Sequence, residues 1–178
     1  MHDLIDPNPK VHLRDVTDAD RPLIYQWLQA DHVRSMWGDP EDNLPLVSAP
    51  PAPGHWRAII EADGQRVGMV LWQHPTRQEL DVAGLMDIPT RVIDIDIMIG
   101  EPSAVGVGIG SSTIRQVAEV ALSDPTVPFV MGCVRPDNLA SQHAFAKAGF
   151  RQDREFDDVP YGRHVLMIRY RPEQVENP

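Results

Sequence analysis

Residues 94–112, DIDIMIGEPSAVGVGIGSS, change within one stretch from a strand pattern to a glycine-rich turn that leads into a helix. In the strand part, apolar residues alternate with Asp94 and Asp96. Because side chains two positions apart project to the same face of a strand, we expect the two carboxylates to lie side by side. Close together and half-buried, they repel each other unless a cation is bound near them. The pair therefore predicts a site for a positively charged group.

The turn that follows predicts a site for an anion. Glycines alternate at positions 106, 108 and 110, and without a Cβ the backbone can curl so that successive N–H groups point inward. Ser111 and Ser112 then open a helix, whose N-terminus adds the positive end of its dipole. The pattern has neither the distal acid of a dinucleotide fold nor the lysine of a Walker loop. A phosphate-containing ligand is the expected occupant, with tight packing of the glycines as the alternative.

The composition indicates one globular domain that spans residues 1–178. Its apolar runs are shorter than the roughly 20 residues of a membrane span, and the N-terminus does not resemble a secretory signal. The net charge of −10 argues against nucleic acid as a partner and favours cationic ligands. The single cysteine, Cys133, lies in an apolar run and is expected to be a core residue. We expect a cytoplasmic protein, either a monomer or a homodimer.

Hydrophobic periodicity predicts a mixed α/β fold, one mixed sheet with helices on both faces. Asp63-Gly64 is a strong signal for a hairpin turn between two of the strands. Three segments are expected to be irregular, namely 31–43, 44–54 and 74–90. The order of elements leaves room for a further helix after the first predicted helix. The proline-rich segment 44–54 is expected to be a surface loop or lid. The predicted strands are 11–16, 55–63, 65–73, 91–99, 127–134, 150–157 and 163–170, and the predicted helices are 17–29, 111–124 and 137–149.

Residues 135–150, RPDNLASQHAFAKAGF, combine a strand exit, an asparagine and a helix that ends in Ala-Gly-Phe. Together with the glycine loop, this segment resembles the core of the GCN5-related N-acetyltransferase (GNAT) superfamily. The resemblance implies a GNAT fold with six or seven strands, acetyl-CoA as the acetyl donor and no metal. It also implies that the loop binds the pyrophosphate of acetyl-CoA, and that Asn138 hydrogen-bonds near the pantetheine or acetyl end. The cofactor-binding residues that it implies are Ile97, Met98, Ile99, Val105, Gly106, Val107, Gly108, Ile109, Gly110, Ser111, Ser112, Asn138, Ser141 and Phe145.

Two positions depart from the GNAT pattern. Val105 stands where members commonly have glutamine or arginine, and the loop contains no lysine or arginine. Backbone N–H groups are therefore expected to bind the phosphates with little side-chain charge. Phe145 stands where many members have a tyrosine that is proposed to protonate the departing thiolate. Either Ser141 or a water then donates this proton, or the role is unfilled, which a thiol leaving group tolerates near neutral pH.

The chemistry implied is direct attack of an amine on a thioester. An amine with a pKa of about 10 is mostly ammonium at neutral pH, so a carboxylate, or a water bound to it, must take its proton. Asp96 and Asp94 are the expected catalytic residues, with a structural ion pair to Arg91 or Arg115 as the alternative. No nucleophile beside a base is apparent in the sequence, so we expect a ternary complex without an acyl-enzyme.

Residues 32–42, HVRSMWGDPED, resemble the substrate-side segment of the aminoglycoside 6′-N-acetyltransferases, although Met36 replaces a tryptophan of the usual pattern. Those antibiotic-resistance enzymes also have an aspartate at the position of Asp96, which contacts the amine. The resemblance implies the 6′-amine of an aminoglycoside as the acceptor, because an aromatic ring can stack on a sugar face while acids bind ammonium groups. The substrate-binding residues that it implies are Trp37, Asp39, Glu41 and Asp42.

Two other functions stay open. Residues 154–167, REFDDVPYGRHVLM, also resemble acyltransferases of siderophore assembly, which acylate a hydroxylysine-type amine, with His32 and His55 as the candidate histidines. The second is an acetyl-CoA-binding module without turnover, which Phe145 favours and the pair of aspartates opposes. The scattered histidines and the single cysteine do not form a metal-binding pattern.

Overall fold

The structure is a computed structural model that describes residues 9–50 and 52–172. Its strands are β1 Val11–Asp15, β2 His55–Ala62, β3 Gln65–Gln73, β4 Ile93–Ile99, β5 Phe129–Val134, β6 Arg151–Asp158 and β7 Gly162–Tyr170. They form one seven-stranded sheet in the order β1-β2-β3-β4-β5-β7-β6. The pair β4–β5 is parallel, and the other neighbouring pairs are antiparallel. The predicted mixed α/β sheet is therefore confirmed.

Helices cover both faces of this sheet. They are α1 Arg21–Gln29, α2 Asp31–Trp37, α3 Pro40–Ser48, α4 Arg77–Val82, α5 Ile109–Ser123 and α6 Leu139–Lys147. On what we call the α5 face, α5 and α6 pack with Ile95 in the largest apolar cluster. On the opposite face, called the α1 face, Trp27 and Met98 belong to a cluster under α1 to α3. Because strand side chains alternate, Asp94 and Asp96 project to the α1 face with Met98.

The turns that connect the strands follow the predicted chemistry. Asp63 and Gly64 have φ values of 52° and 74°, in the left-handed region that glycine adopts without strain and aspartate tolerates. They join β2 to β3 as a hairpin, and β6 pairs with β7 as expected. Helix α6 ends before Gly149, whose φ of 91° closes the helix in the predicted way.

The prediction of irregular structure at 31–43 and 44–54 was wrong in large part, because α2 and α3 occupy most of it. Asp39 caps α3 by accepting a hydrogen bond from the Glu41 N–H, and Pro40 lies at the first helical position, where proline loses no hydrogen bond. Pro45 lies inside this short helix, and burial of Val47 against the α1–α3 cluster compensates for the hydrogen bond that Pro45 cannot donate.

The segment 74–90 was also predicted to be irregular, yet it contains α4. Thr76 and Glu79 form a capping box, in which the Thr76 side chain accepts from the Glu79 N–H and the Glu79 carboxylate accepts from Thr76. Leu80 anchors the helix in an apolar cluster over β5 and β7, which Cys133 joins as a partly buried residue. Within the described ranges, none of the helices has both the length and the apolar character needed to cross a lipid bilayer.

Candidate active site

The candidate site begins where two parallel strands separate. In the part of the chain that the structure describes, β4 and β5 pair only at Ile93–Val130 and Asp94–Met131. Beyond these pairs the strands diverge, so the backbone groups on one side of β4 have no partner in β5. The gap adjoins a cavity of about 540 Å³, whose walls come from α2, the end of β4, the glycine loop and α6.

The glycine loop, residues 105–110, forms one end of this cavity. Gly106 and Gly108 have φ values of 78° and 90°. At these two positions the backbone adopts a conformation that would be strained for a residue with a side chain. Helix α5 begins at Ile109, two positions before the predicted start, and the Ser111 hydroxyl donates to the Gly108 carbonyl. The first N–H groups of a helix have no acceptor within the helix. The positive end of α5 can therefore bind an anion in the cavity.

Most of the predicted cofactor residues line this cavity. They are Ile97, Met98, Ile99, Val105, Gly106, Gly108, Gly110, Ser111, Asn138 and Ser141. The remaining predicted residues lie elsewhere: Val107 is exposed, Ile109 and Phe145 belong to the core, and the Ser112 hydroxyl donates to the Pro9 carbonyl. These four residues therefore do not line the cavity; they are exposed, pack in the core or make a local hydrogen bond.

Phe145 packs in the core instead of lining the cavity. Its side chain is 2% exposed and packs edge to face on Phe150, with ring centroids 5.0 Å apart. A Cβ at Gly132 would overlap the ring, so this glycine is needed to admit it. Ser141, one helical turn earlier, does line the cavity. Its N–H donates to Asn138 Oδ1 over 3.1 Å, so that oxygen caps α6, and the Asn138 amide group is the part able to donate to a ligand.

The sequence interpretation missed the positive charge of the cavity. The glycine loop has no basic residue, but α6 brings His143 and Lys147 to the same wall. Ala140 and Ala144 complete this face of the helix, because residues three and four positions apart lie on the same side. The available signal was the spacing of Ala140, His143, Ala144 and Lys147, which places these residues on one face of the helix. Together with the N-terminus of α5, these side chains make the cavity suitable for phosphate groups.

The two predicted acids lie on the α1 face, as their spacing predicted. The strand register places three further polar side chains on that face beside them, Cys133 of β5, His164 of β7 and Asp158 of β6. We call Asp94, Asp96, Cys133, Asp158 and His164 the acidic patch. Asp158 and His164 were missed as site residues, because strands that are distant in sequence bring them together.

The surroundings of the two acids change their proton affinity. Burial raises the pKa of Asp96 to about 6, and the nearby His164 limits the increase. Asp96 is nevertheless an exposed residue, so solvent reaches its side chain. Burial, and then the charges of Asp96 and Glu79, raise the pKa of Asp94 well above its usual value. Asp96 is therefore a carboxylate that can take up a proton near neutral pH.

The alternative of a structural ion pair is not what the structure shows. Arg91 donates to the Thr126 carbonyl, and Arg115 donates to the Lys147 carbonyl. Among the described residues, Asp94 Oδ1 is shielded from solvent and has no hydrogen-bond partner. A buried carboxylate oxygen without a donor is costly in its ionised form, in agreement with the raised pKa of Asp94.

The predicted acceptor residues are dispersed. Trp37 lines the cavity, whereas Asp39 caps α3 and Glu41 accepts a hydrogen bond of 2.7 Å from the Tyr25 hydroxyl. Asp42 is exposed in the first turn of α3. Of this predicted set, Trp37 is the member that the fold brings to the cavity, and a role in acceptor binding stays a prediction for all four.

Of the two candidate histidines, one lines the cavity and the other does not. His32 lines the cavity, and its Nε2 lies 3.0 Å from the Ile99 carbonyl oxygen at the end of β4. His55 Nδ1 lies 3.3 Å from the Pro53 carbonyl oxygen, away from the cavity. His32 thus fixes the strand end that borders the site, and His55 makes a local turn contact.

Comparison with known proteins agrees with this geometry. The family model described as Acetyltransferase (GNAT) domain matches residues 16–158. The chain belongs to this family. The match covers the diverging strands, the glycine loop, α6 and the acidic patch except for His164, so the acetyltransferase fold inferred from the sequence is confirmed.

Similar proteins share a named activity. An aminoglycoside N(6′)-acetyltransferase type 1 from Klebsiella pneumoniae is 26% identical over 174 residues, which cover 92% of this chain and 85% of the relative. A crystal structure of an aminoglycoside acetyltransferase with coenzyme A is 25% identical, with a TM-score of 0.75 over 94% of this chain and 100% of that one. A structure of an aminoglycoside acetyltransferase with coenzyme A and kanamycin has the same fold, with 24% identity, a TM-score of 0.74 and coverage of 94% and 100%.

Proposed function

We propose that this chain, as one acetyltransferase domain, transfers the acetyl group of acetyl-CoA to a primary amine of a cationic small molecule. The proposed acceptor is the 6′-amine of an aminoglycoside. The activity named for the relatives supports this choice, as does the presence of several acids on the α1 face.

The observation that carries the proposal is the position of Asp96. This carboxylate, with a pKa of about 6, lies on β4 directly before Ile97, Met98 and Ile99, which line the cavity. One strand therefore connects a proton acceptor to a cavity with an anion-binding end. An amine bound at Asp96 and a thioester bound in the cavity are thereby held beside the same strand, which lowers the entropic cost of their reaction.

In the proposed reaction, the substrate ammonium group loses a proton to the Asp96 carboxylate, and the neutral nitrogen attacks the carbonyl carbon of the thioester. The C–N bond forms, the C–S bond breaks, the nitrogen releases its second proton to water, and the departing thiolate takes up a proton. Since Phe145 lies in the core, Ser141 or a water is the proposed donor of that proton. The backbone N–H groups of the glycine loop, with His143 and Lys147, are the proposed partners of the phosphates.

The test is thiol release from acetyl-CoA by the purified protein with a panel of acceptors. The panel contains an aminoglycoside with a 6′-amine, its analogue with a 6′-hydroxyl, hydroxylysine, a polyamine and a control without acceptor. We expect rapid release with the 6′-amine and release at the level of the control with the 6′-hydroxyl.

Two results would contradict the proposed acceptor. Release with hydroxylysine alone would assign the protein to acylation of a hydroxylysine-type amine, the function for which His32 in the cavity is the supporting observation. Acetyl-CoA binding without release for any acceptor would make it a binding module, in agreement with the missing tyrosine at Phe145.

A further inference from the structure

We infer that His32 and Arg135 are positioning residues that hold helix α2 across the gap between β4 and β5, as the wall that retains acetyl-CoA in the cavity. His32 of α2 contacts a carbonyl oxygen of β4, and Arg135, which follows β5, contacts a carbonyl oxygen of α2. The inference deepens the proposed function and rests on the proposed binding of acetyl-CoA.

The first contact joins α2 to the open edge of β4. In an antiparallel ladder, residues that bond to the neighbouring strand alternate with residues whose backbone groups point away from it. The Gly100 N–H donates to the Val67 carbonyl of β3, so Ile99, one position earlier, directs its carbonyl away from β3. His32 Nε2 lies 3.0 Å from this oxygen. Since a carbonyl oxygen only accepts hydrogen bonds, Nε2 carries the proton and donates the hydrogen bond.

The end of β4 is held in place by α1, so the first contact has a fixed partner. The Trp27 indole N–H donates to Glu101 over 2.8 Å, and Trp27 is 2% exposed. A Cβ at Gly100 would overlap the Trp27 ring, so the strand end lies directly against α1. His32 thereby connects α2 to a strand end that packs on the core.

The second contact joins α2 to the opposite rim of the gap. The Arg135 guanidinium donates to both carboxylate oxygens of Asp137, over 3.0 and 2.7 Å. This bidentate pair orients the guanidinium, and Nη1 donates to the Ser35 carbonyl over 3.1 Å. Ser35 lies in the last turn of α2, where carbonyl groups have no partner within the helix and the helix dipole favours a cation. Arg135 therefore caps α2 from across the gap.

Helix α2 depends on such contacts because it is short. Its seven residues, Asp31–Trp37, are fewer than an isolated helix needs for stability in water, and Val33 anchors it by burial. The helix lines the cavity with His32, Val33, Ser35, Met36 and Trp37. The two polar contacts therefore determine how closely this wall lies against a bound ligand and how easily the ligand leaves.

The test measures the dissociation of coenzyme A from the full chain by surface plasmon resonance. His32→Leu removes the donor at one rim, and Arg135→Met removes the donor at the other. Each substitution should raise the dissociation rate about fivefold, the usual value of one hydrogen bond, with an association rate within about twofold of that of the wild type. Without ligand, hydrogen exchange at the amides of residues 33–37 should become faster in both variants.

Two further variants separate positioning from other roles. His32→Gln keeps a side-chain N–H donor and should restore a dissociation rate close to that of the wild type, although glutamine cannot act as a base. Arg34→Met removes an exposed arginine from the same helix and should leave the rate unchanged. Failure of His32→Gln to restore the rate would overturn the role of His32 as a donor to Ile99.

Salt distinguishes positioning by Arg135 from direct attraction of the phosphates. The effect of Arg135→Met should persist between about 50 mM and about 300 mM salt, whereas a long-range attraction is screened over this interval. Disappearance of the effect at the higher concentration would assign Arg135 a direct electrostatic role and overturn its role in positioning α2.

The inference and the proposed function fail in different ways. Dissociation rates like that of the wild type in both His32→Leu and Arg135→Met would overturn the inference, while binding of coenzyme A by the wild type would still support the proposed function. Failure of the wild type to bind coenzyme A would overturn both.

Discussion

Asp20 and Asp94 both have carboxylate oxygens that are shielded from solvent, but their surroundings shift the pKa of the two side chains in opposite directions. Asp20, which precedes α1, is 1% exposed and accepts two hydrogen bonds of 2.8 Å from Arg14. Arg66 and Thr17 add further donors. Hydrogen bonds from Arg14 hold the pKa of Asp20 far below its usual range. Burial and the charges of neighbouring acids raise the pKa of Asp94 instead.

The difference separates a structural carboxylate from a binding one. At Asp20 the protein supplies the compensating charges itself, so the ionised form stabilises the fold. At the acidic patch the protein supplies burial and further negative charge, which destabilise the ionised form of Asp94. A charged side chain whose donors come from the fold stabilises the fold, and one without such donors is suited to binding a ligand.

The largest expected effect is on turnover. Asp96→Asn removes the proposed proton acceptor, so kcat/KM for the accepted amine should fall by about 100-fold, the usual contribution of general base catalysis. Thermal unfolding should show an intact fold, because Asp96 is an exposed residue. A near-normal rate would remove Asp96 from the mechanism and weaken the comparison.

The next effect is on stability. Asp20→Asn leaves Arg14 and Arg66 without their carboxylate, and the free energy of unfolding should fall by about 2 kcal/mol, below the cost for a wholly buried pair because both arginines are partly exposed. Since the pKa of Asp20 is lowered by folding, its stabilisation is present above about pH 4 and is lost as the pH falls. Denaturant unfolding at pH 7 and pH 3 measures both. Equal stability of variant and wild type at pH 7 would mean that the ion pairs do not stabilise the fold.

The pH dependence of the reaction sharpens the assignment of Asp96. A base with a pKa of about 6 is mostly ionised at pH 7 and mostly protonated at pH 5. The value of kcat/KM should therefore decrease about tenfold between pH 7 and pH 5. Because Asp94 is close by, the measured value belongs to the pair. A midpoint near the ordinary aspartate value of about 4 would contradict burial as the cause.

The smallest expected effect has the opposite sign to that at Asp20. Folding raises the pKa of Asp94, so the wild type is favoured at low pH and loses stability as the pH rises toward the folded pKa. Asp94→Asn removes this loss, and its melting temperature should increase relative to the wild type by a few degrees between pH 5 and pH 8. Calorimetry at the two pH values measures the difference. A variant that is less stable at pH 8 would show that the Asp94 carboxylate has a structural partner after all.

The sequence predicted those parts of the site that lie on one continuous segment. Local geometry follows from the alternation around Asp94 and Asp96 and from the glycines at 106, 108 and 110. In the structure the two aspartates share one face of β4, and Gly106 and Gly108 have left-handed backbone angles. The residues missed have another origin. Lys147 reaches the cavity because α6 packs beside the glycine loop, and Asp158 reaches the patch because β7 lies between β5 and β6. Such tertiary placement leaves little periodic signal.

The wrong predictions about irregular segments share one cause. Prolines and polar residues at 31–54 were interpreted as helix breakers, although Pro40 lies where a proline opens a helix and Asp39 caps it. Glu79 was likewise a capping signal three residues after Thr76. In both cases the short helices are stabilised by burial on the α1 face, through Val47 and Leu80. Burial against a sheet is a property of the whole fold, and the local sequence does not report it.

The early divergence of β4 from β5 also affects how the backbone exchanges its amide hydrogens. Strand amides usually exchange slowly because the neighbouring strand accepts their hydrogen bonds. Past Asp94, the amides of β4 that point into the gap have no such acceptor in β5, although they lie inside the fold. They form an internal strand edge, where deuterium uptake reports directly whether a ligand lies between the strands, whether or not any acetyl group is transferred.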